Sequence, residues 1–137
     1  VRKAVVRTTK EAFNKYLATG EPAFVDKERV PPRQAIAAIR DSGGIAIAAP
    51  PSQLRTENTA QLERVLRQLI SFGLGGIEVY PSSHTPQQTR TYLDLARKFD
   101  LMISGGSDYH GRGKPDVTLG RPKVSTTITA PLLDKLL

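Results

Sequence analysis

The feature that most restricts this chain is a hydrophobic period that switches back and forth along it. From residue 45 onward, short apolar runs alternate with stretches whose apolar residues recur every three or four positions. Ile45-Ala46-Ile47-Ala48-Ala49 is a continuous run of the buried-strand type. Leu62, Val65, Leu66, Leu69 and Ile70 then fall on one helical face. Gly76-Ile77-Glu78-Val79-Tyr80 reads as another strand. Tyr92, Leu93, Leu95, Ala96 and Phe99 give another helix, and Leu101-Met102-Ile103-Ser104 a third strand. Helices and strands in strict alternation, joined by a few residues, predict parallel βα units.

The stretch before residue 45 reads differently. Thr8 with Glu11 three residues on is a capping-box pattern, followed by an apolar face of Ala12, Phe13, Tyr16 and Leu17 and a stop at Gly20. An extended linker with Pro22 leads to Val30-Pro31-Pro32, where proline suits a first helical turn ahead of Ala35, Ile36 and Ile39. Gly43-Gly44 ends that helix, and a last short helix is predicted over Pro131–Leu137. Three strands are too few to close a parallel barrel, and the opening helix has no strand before it. The chain therefore reads as the later part of a larger α/β domain.

Composition removes several classes of function. Hydrophobic residues make up 39% and charged residues 24% of the 137, enough to bury a core. No apolar run approaches the roughly 20 residues of a membrane span. The opening Val1-Arg2-Lys3-Ala4-Val5-Val6 has no leader pattern with a cleavage site, so the expectation is a cytoplasmic protein without a membrane partner. With 0 Cys there is no disulfide, thiolate zinc site or cysteine nucleophile; any metal must be held by His and carboxylates. Twenty Lys and Arg against 13 Asp and Glu give +7, which draws anions such as phosphate esters or nucleic acid. The basic residues are scattered, so solvated helix faces explain them equally well, except where Arg112, Lys114, Arg121 and Lys123 cluster.

In parallel α/β folds, sites form in the loops after the carboxyl ends of strands. Those loops are Pro50-Pro51-Ser52, then Pro81 to Pro86, then Gly105 to Gly111, and the only two histidines, His84 and His110, fall in the last two. In extended backbone the side chains of Asp108 and His110 point the same way, an oxygen and nitrogen pair suited to Mn²⁺, Fe²⁺ or Zn²⁺. The plainer reading is an Asx turn at Asp108 and an exposed loop histidine. His84 is a candidate ligand, or a proton donor to a leaving group, or simply a loop residue before the next helix cap. Glu78 lies inside an apolar strand; it faces either a cation-bearing pocket or a basic neighbour. No G-x-S-x-G elbow is present, which argues against serine hydrolase chemistry.

Three spaced segments carry a resemblance: Gly75-Gly76-Ile77-Glu78-Val79-Tyr80-Pro81-Ser82-Ser83-His84-Thr85-Pro86, Tyr92-Leu93-x-Leu95-Ala96, and Ser104-Gly105-Gly106-Ser107-Asp108-Tyr109-His110-Gly111. Together they resemble the C-terminal half of a PHP domain (polymerase and histidinol phosphatase), as found in bacterial metal-dependent phosphoesterases. Ala12-Phe13, Tyr16-Leu17, Pro22-Ala23-Phe24-Val25 and Gly43-Gly44-Ile45-Ala46 are similar to the small helical insertion of that family and the βα unit after it. The resemblance implies the C-terminal portion of a distorted (β/α)7 TIM-like barrel. Residues 1–40 would be the end of the insertion and a linker, and residues 41–137 the barrel units. It implies hydrolysis of phosphate esters by divalent ions (Mn, Fe, Zn or Mg). Asp108 and His110 would be metal ligands, and His84 a ligand or active-site histidine. Arg112, Lys114 and Arg121 would hold the phosphate of a phosphorylated small molecule, nucleotide or oligonucleotide.

Two departures qualify that implication. The family opens with His-x-His and Ser-Asp-Gly motifs, yet this chain has no His before residue 84. Its strand ending Ala49-Pro50-Pro51 also replaces the family's Ala-His-Pro, and proline offers no side-chain donor or acceptor. Three protein ligands suffice for one open metal site at best. The expectation is a phosphoesterase portion that needs an N-terminal PHP segment as partner. The alternatives are a degenerate, non-catalytic module that binds nucleotide or nucleic acid, and a truncated fragment with an exposed barrel edge.

Overall fold

The structure, a computed structural model, describes residues 5–119. The expected helix over 131–137 and the residues Arg121 and Lys123 lie outside them. The chain divides between Val30 and Pro31 into two compact units.

In the first unit, α1 (Thr9–Ala12) starts where the Thr8 hydroxyl accepts from the Glu11 N–H at 3.1 Å. Glu11 reaches one residue past the cap, to the N–H of Arg7 at 2.9 Å, and also pairs with Lys15 at 2.8 Å. Lys15 first, then the Arg7 N–H, holds its carboxyl below the usual value. The helix widens at once into a single π turn, Phe13–Leu17, closed by the Ala18 N–H on the Phe13 carbonyl at 2.8 Å. The apolar face expected here is not buried: Phe13 is 57% exposed and Leu17 50%. Both line an open cavity of about 580 Å³ together with Phe24, Val25, Lys27 and Arg29.

The second unit begins with α2 (Pro32–Asp41), whose prolines occupy the positions where a missing N–H costs nothing. Ile36 of α2 belongs to the core of this unit. Then come β1 (Ile47–Ala48), a 3₁₀ turn over Pro51–Leu54, α3 (Thr59–Ser71), β2 (Gly76–Pro81), α4 (Pro86–Lys98) and β3 (Met102–Gly106). Asn58 caps α3 by accepting from the Gln61 N–H at 2.9 Å. Thr85 and Gln88 form a complete capping box on α4. The strands are parallel in the order β1-β2-β3, as the alternating periods predict. These three strands do not close on themselves among the described residues.

Register explains which side chains are buried. Ala48, Ile77 and Ile103 are partners across the sheet and share the face that packs on the helices. Ile77, Val79 and Leu66 are fully excluded from solvent, each worth about 1.5–3 kcal/mol of transfer free energy. Ile47, Gly76 and Met102, then Glu78 and Ser104, occupy the opposite face, where Ile47 stays 38% exposed. Several of the scattered cations serve packing: Arg33 lies over the Phe72 ring at 4.8 Å, Arg67 over Phe99 at 4.7 Å, and Lys98 pairs with Glu63 at 2.7 Å. Among the described residues, no helix is long and apolar enough to cross a membrane.

Two strands differ from the sequence reading. The apolar run 45–49 yields only a two-residue strand, because Pro50 and Pro51 have no N–H to extend the ladder. β3 runs on through Ser104-Gly105-Gly106, beyond the apolar residues that mark it. Its register with β2 shifts between Glu78 and Tyr80, so Val79 has no partner across the pair. Gly105 makes the shift possible: a Cβ there would stand 2.6 Å from the Tyr80 Cβ and 2.9 Å from its carbonyl oxygen.

Candidate metal and phosphate site

The loops after β2 and β3 are tied to each other. The Ser82 hydroxyl donates to the main-chain carbonyl of Ser107 at 2.8 Å, and Ser107 is itself buried. Asp108 follows in the left-handed region, at φ +56, which Asp tolerates better than most residues. The extended geometry expected of Asp108-Tyr109-His110 is therefore absent, yet the two side chains still meet. His110 Nδ1 lies 3.4 Å from Asp108 Oδ1 and 2.7 Å from the Asp108 main-chain oxygen. Both partners are acceptors, so Nδ1 carries the hydrogen and the lone pair of the neutral ring is left on Nε2. Metal-binding histidines are commonly oriented in this way.

Lys114 comes round from the following turn to donate to Asp108 Oδ2. That bond is the main cause that holds the Asp108 carboxyl below its ordinary value, with a smaller contribution from His110. Lys114 thus stands on the carboxylate, whereas the sequence reading assigns it to phosphate. Arg112 lies exposed in the short turn Gly111–Gly113. Arg121 falls outside the described residues.

Glu78 is half-buried on the sheet face opposite the core, beside Ser104. Its carboxyl is pushed up, chiefly by burial and further by the negative charge of Asp108. Among the described residues it forms no ion pair, so the basic neighbour considered from the sequence is not found there. Asp108's field reaches it instead.

His84 takes a different course. Its ring is buried, with Nδ1 3.1 Å from the Val79 carbonyl oxygen and Nε2 buried without a partner among the described residues. It packs against Tyr92 of α4, the ring centroids 4.8 Å apart and tilted by 57°. Burial lowers its pKa, which favours the neutral ring. The structure thus brings Asp108 and His110 together and leaves His84 out of that pair. Among the described residues, no three His, Asp or Glu are grouped so as to hold a metal ion. Asp108 and His110 offer a carboxylate and an imidazole nitrogen, donors that suit a divalent ion, but a closed tetrahedral site needs four. They fit as part of a ligand set. Pro50, at the end of β1, adds no donor. The Ser82–Ser107 bridge and the Lys114–Asp108 pair escaped the sequence reading, since neither follows a period or a motif.

No protein-family model matches the chain. Its relatives are nonetheless consistent with one another. It is 28% identical over 136 residues to the 3′,5′-nucleoside bisphosphate phosphatase of Chromobacterium violaceum, covering 99% of this chain and 47% of that one. It is 36% identical over 101 residues to a 5′-3′ exoribonuclease of Haemophilus influenzae, covering 73% of this chain and 36% of that one. A solved structure assigned as a metal-dependent phosphoesterase, from Bifidobacterium adolescentis, matches with a TM-score of 0.72 at 28% identity, over 98% of this chain and 47% of that one. The chain spans less than half the length of these relatives. By sequence and by fold it is similar to phosphoesterases, which is consistent with the C-terminal part of a PHP domain that its motifs resemble.

Proposed function

We propose that this chain is the C-terminal part of a divalent-metal-dependent phosphoesterase acting on nucleotide-type phosphate esters, with Asp108 and His110 supplying part of the metal site. The observation that carries the reading is the bond from His110 Nδ1–H to the Asp108 carbonyl, which leaves Nε2 of this exposed ring as its lone-pair donor, with the Asp108 carboxylate 3.4 Å from the other ring nitrogen. A divalent ion in such a site supplies an activated water and neutralises phosphate oxygens. The chain's own residues orient and attract. Ser82 holds the Ser107 carbonyl and with it the start of the ligand loop. Arg112 and Arg121 draw the anionic ester, and Lys114 keeps Asp108 ionised. His84, bonded to the Val79 carbonyl and packed on Tyr92, is not counted among its ligands.

The remaining ligands come from a segment carrying the His-x-His and Ser-Asp-Gly motifs. The test is hydrolysis of a nucleoside bisphosphate with Mn²⁺, by the chain alone and with that segment supplied. Activity is expected only in the second case, and Asp108→Asn should lower it at least about 10²-fold, since even outer-sphere changes at metal sites cost 10–100-fold. Equal activity from the chain alone overturns the reading. Pro50 favours a second reading, a non-catalytic module that binds nucleotide or nucleic acid. Such a module would show no turnover, no bound metal and binding that weakens steeply with salt.

A further inference from the structure

The two ring nitrogens of His84 are in unequal states. Nδ1 faces a carbonyl oxygen and so carries the hydrogen, while Nε2 is closed off with no partner among the described residues. A residue that presented Nε2 to a metal or a leaving group would need that atom open. Here the working nitrogen is the other one. Its acceptor is the carbonyl of Val79, the residue that the register shift of β2 against β3 leaves without a cross-strand partner. Gly105 keeps that shift possible by leaving room for Tyr80.

From His84 the links continue toward the ligand loop. The turn it closes, with the His84 N–H also on the Pro81 carbonyl at 3.4 Å, contains Ser82. Ser82 donates to the carbonyl of Ser107, and Ser107 immediately precedes Asp108. Tyr92 on α4 supports the ring from the helix side. The fold thus runs from a bulge in β2, through one imidazole N–H, to a hydroxyl that holds the neighbouring loop.

We infer that His84 is a positioning residue that reads the β2 bulge through Nδ1–H and so fixes Ser82 and, through the Ser107 carbonyl, the loop of Asp108 and His110. Its consequence for turnover rests on the phosphoesterase reading; the structural link does not. Asn and Gln substitutions separate the two nitrogens, because an Asn amide N–H reaches roughly where Nδ1 lies and a Gln amide roughly where Nε2 lies. His84→Phe keeps the ring without the donor, and Ser82→Ala cuts the next link.

The full ¹⁵N-labelled chain should show a neutral Nδ1–H tautomer at His84. The amide resonances of Ser107 to His110 should move in His84→Gln, His84→Phe and Ser82→Ala, and return close to their native positions in His84→Asn. With the N-terminal segment supplied, kcat should fall by about tenfold in the Gln and Phe variants, within the range seen for supporting shells of metal sites, and recover to within about threefold in Asn. An Nε2–H tautomer overturns the inference, as does a Gln variant that outperforms Asn, which would mark Nε2 as the working atom. Should the His84 variants not fold, the tautomer and Ser82→Ala decide the matter. Absence of hydrolysis in the supplemented protein would count against the phosphoesterase reading alone, since the resonance shifts test the link independently.

Discussion

The chain's two histidines sit in equivalent places, each in the loop that leaves the carboxyl end of a parallel strand, and the fold uses them in opposite ways. After β2, His84 is drawn inward, bonded to a strand carbonyl and covered by Tyr92. After β3, His110 stays 59% exposed at its side chain, bonded to its own loop and next to a paired carboxylate. The difference is set by what surrounds each loop. The first is pinned by an aromatic residue one turn and more into α4 and by an unmatched carbonyl. The second has glycines on either side and a lysine facing it. Position relative to a strand end therefore locates a residue at the rim without saying whether it faces solvent or core.

Removing the two rings should expose that contrast most strongly. His84→Ala is expected to lower the unfolding free energy by about 2–3 kcal/mol, from lost packing and a stranded carbonyl. His110→Ala should stay within about 0.5 kcal/mol, as surface changes do. Urea denaturation of both variants measures it, and equal losses would erase the distinction. The acid limb belongs to the same test. Burial lowers the His84 pKa, so the unfolded chain binds the extra proton first; the contribution is fully present above about 6.5 and is lost as pH falls from there through the lowered folded value. In His84→Asn that part of the pH dependence should vanish.

Gly105→Ala comes next. A methyl group 2.6 Å from the Tyr80 Cβ must displace backbone, for an expected cost of about 1–3 kcal/mol and a shift in the amide resonances of both loops. A variant as stable as the parent would show that the bulge does not depend on that close approach. Glu78→Gln should act the other way. Its raised pKa means that the charged form is disfavoured in the fold, so stability from this group is present below about 4.5 and lost as pH rises through the raised folded value. The Gln variant is thus expected to gain less than about 1 kcal/mol at neutral pH, after allowing for solvent screening, and nothing below pH 4. The smallest effect belongs to Lys114→Met, which should let the Asp108 carboxyl rise toward its ordinary value, read directly from a carbon-detected titration.

The sheet and its helices could be read from the sequence because a change of period is a property of burial, and burial dominates this part of the fold. Leu62 and Leu66, Ile77 and Val79, Tyr92 and Leu95 all lie in the core, as their spacing implies. Strand ends are less legible, since prolines truncate β1 and glycines extend β3 where no apolar residue marks them. The face of Phe13 and Leu17 shows the limit of pattern, for an apolar stripe states a need for cover without stating what supplies it. At the site, Asp-x-His gave the pair, though by a left-handed turn in place of an extended one. The fate of His84 depends on Tyr92 eight residues later and on a register shift in a neighbouring ladder, neither of which local spacing encodes.

Asp108 also carries a consequence for how this loop tolerates change. At φ +56 the backbone screens its occupants before any chemistry does. Glutamate would keep the charge but pay the left-handed penalty of roughly 1–2 kcal/mol and overreach the site with a longer arm. Asparagine fits the same backbone and has nearly the same shape. On the phosphoesterase reading, the shortest route from a cation-holding loop to an inert one is therefore a single amide, which keeps the backbone and gives up only the charge that Lys114 faces.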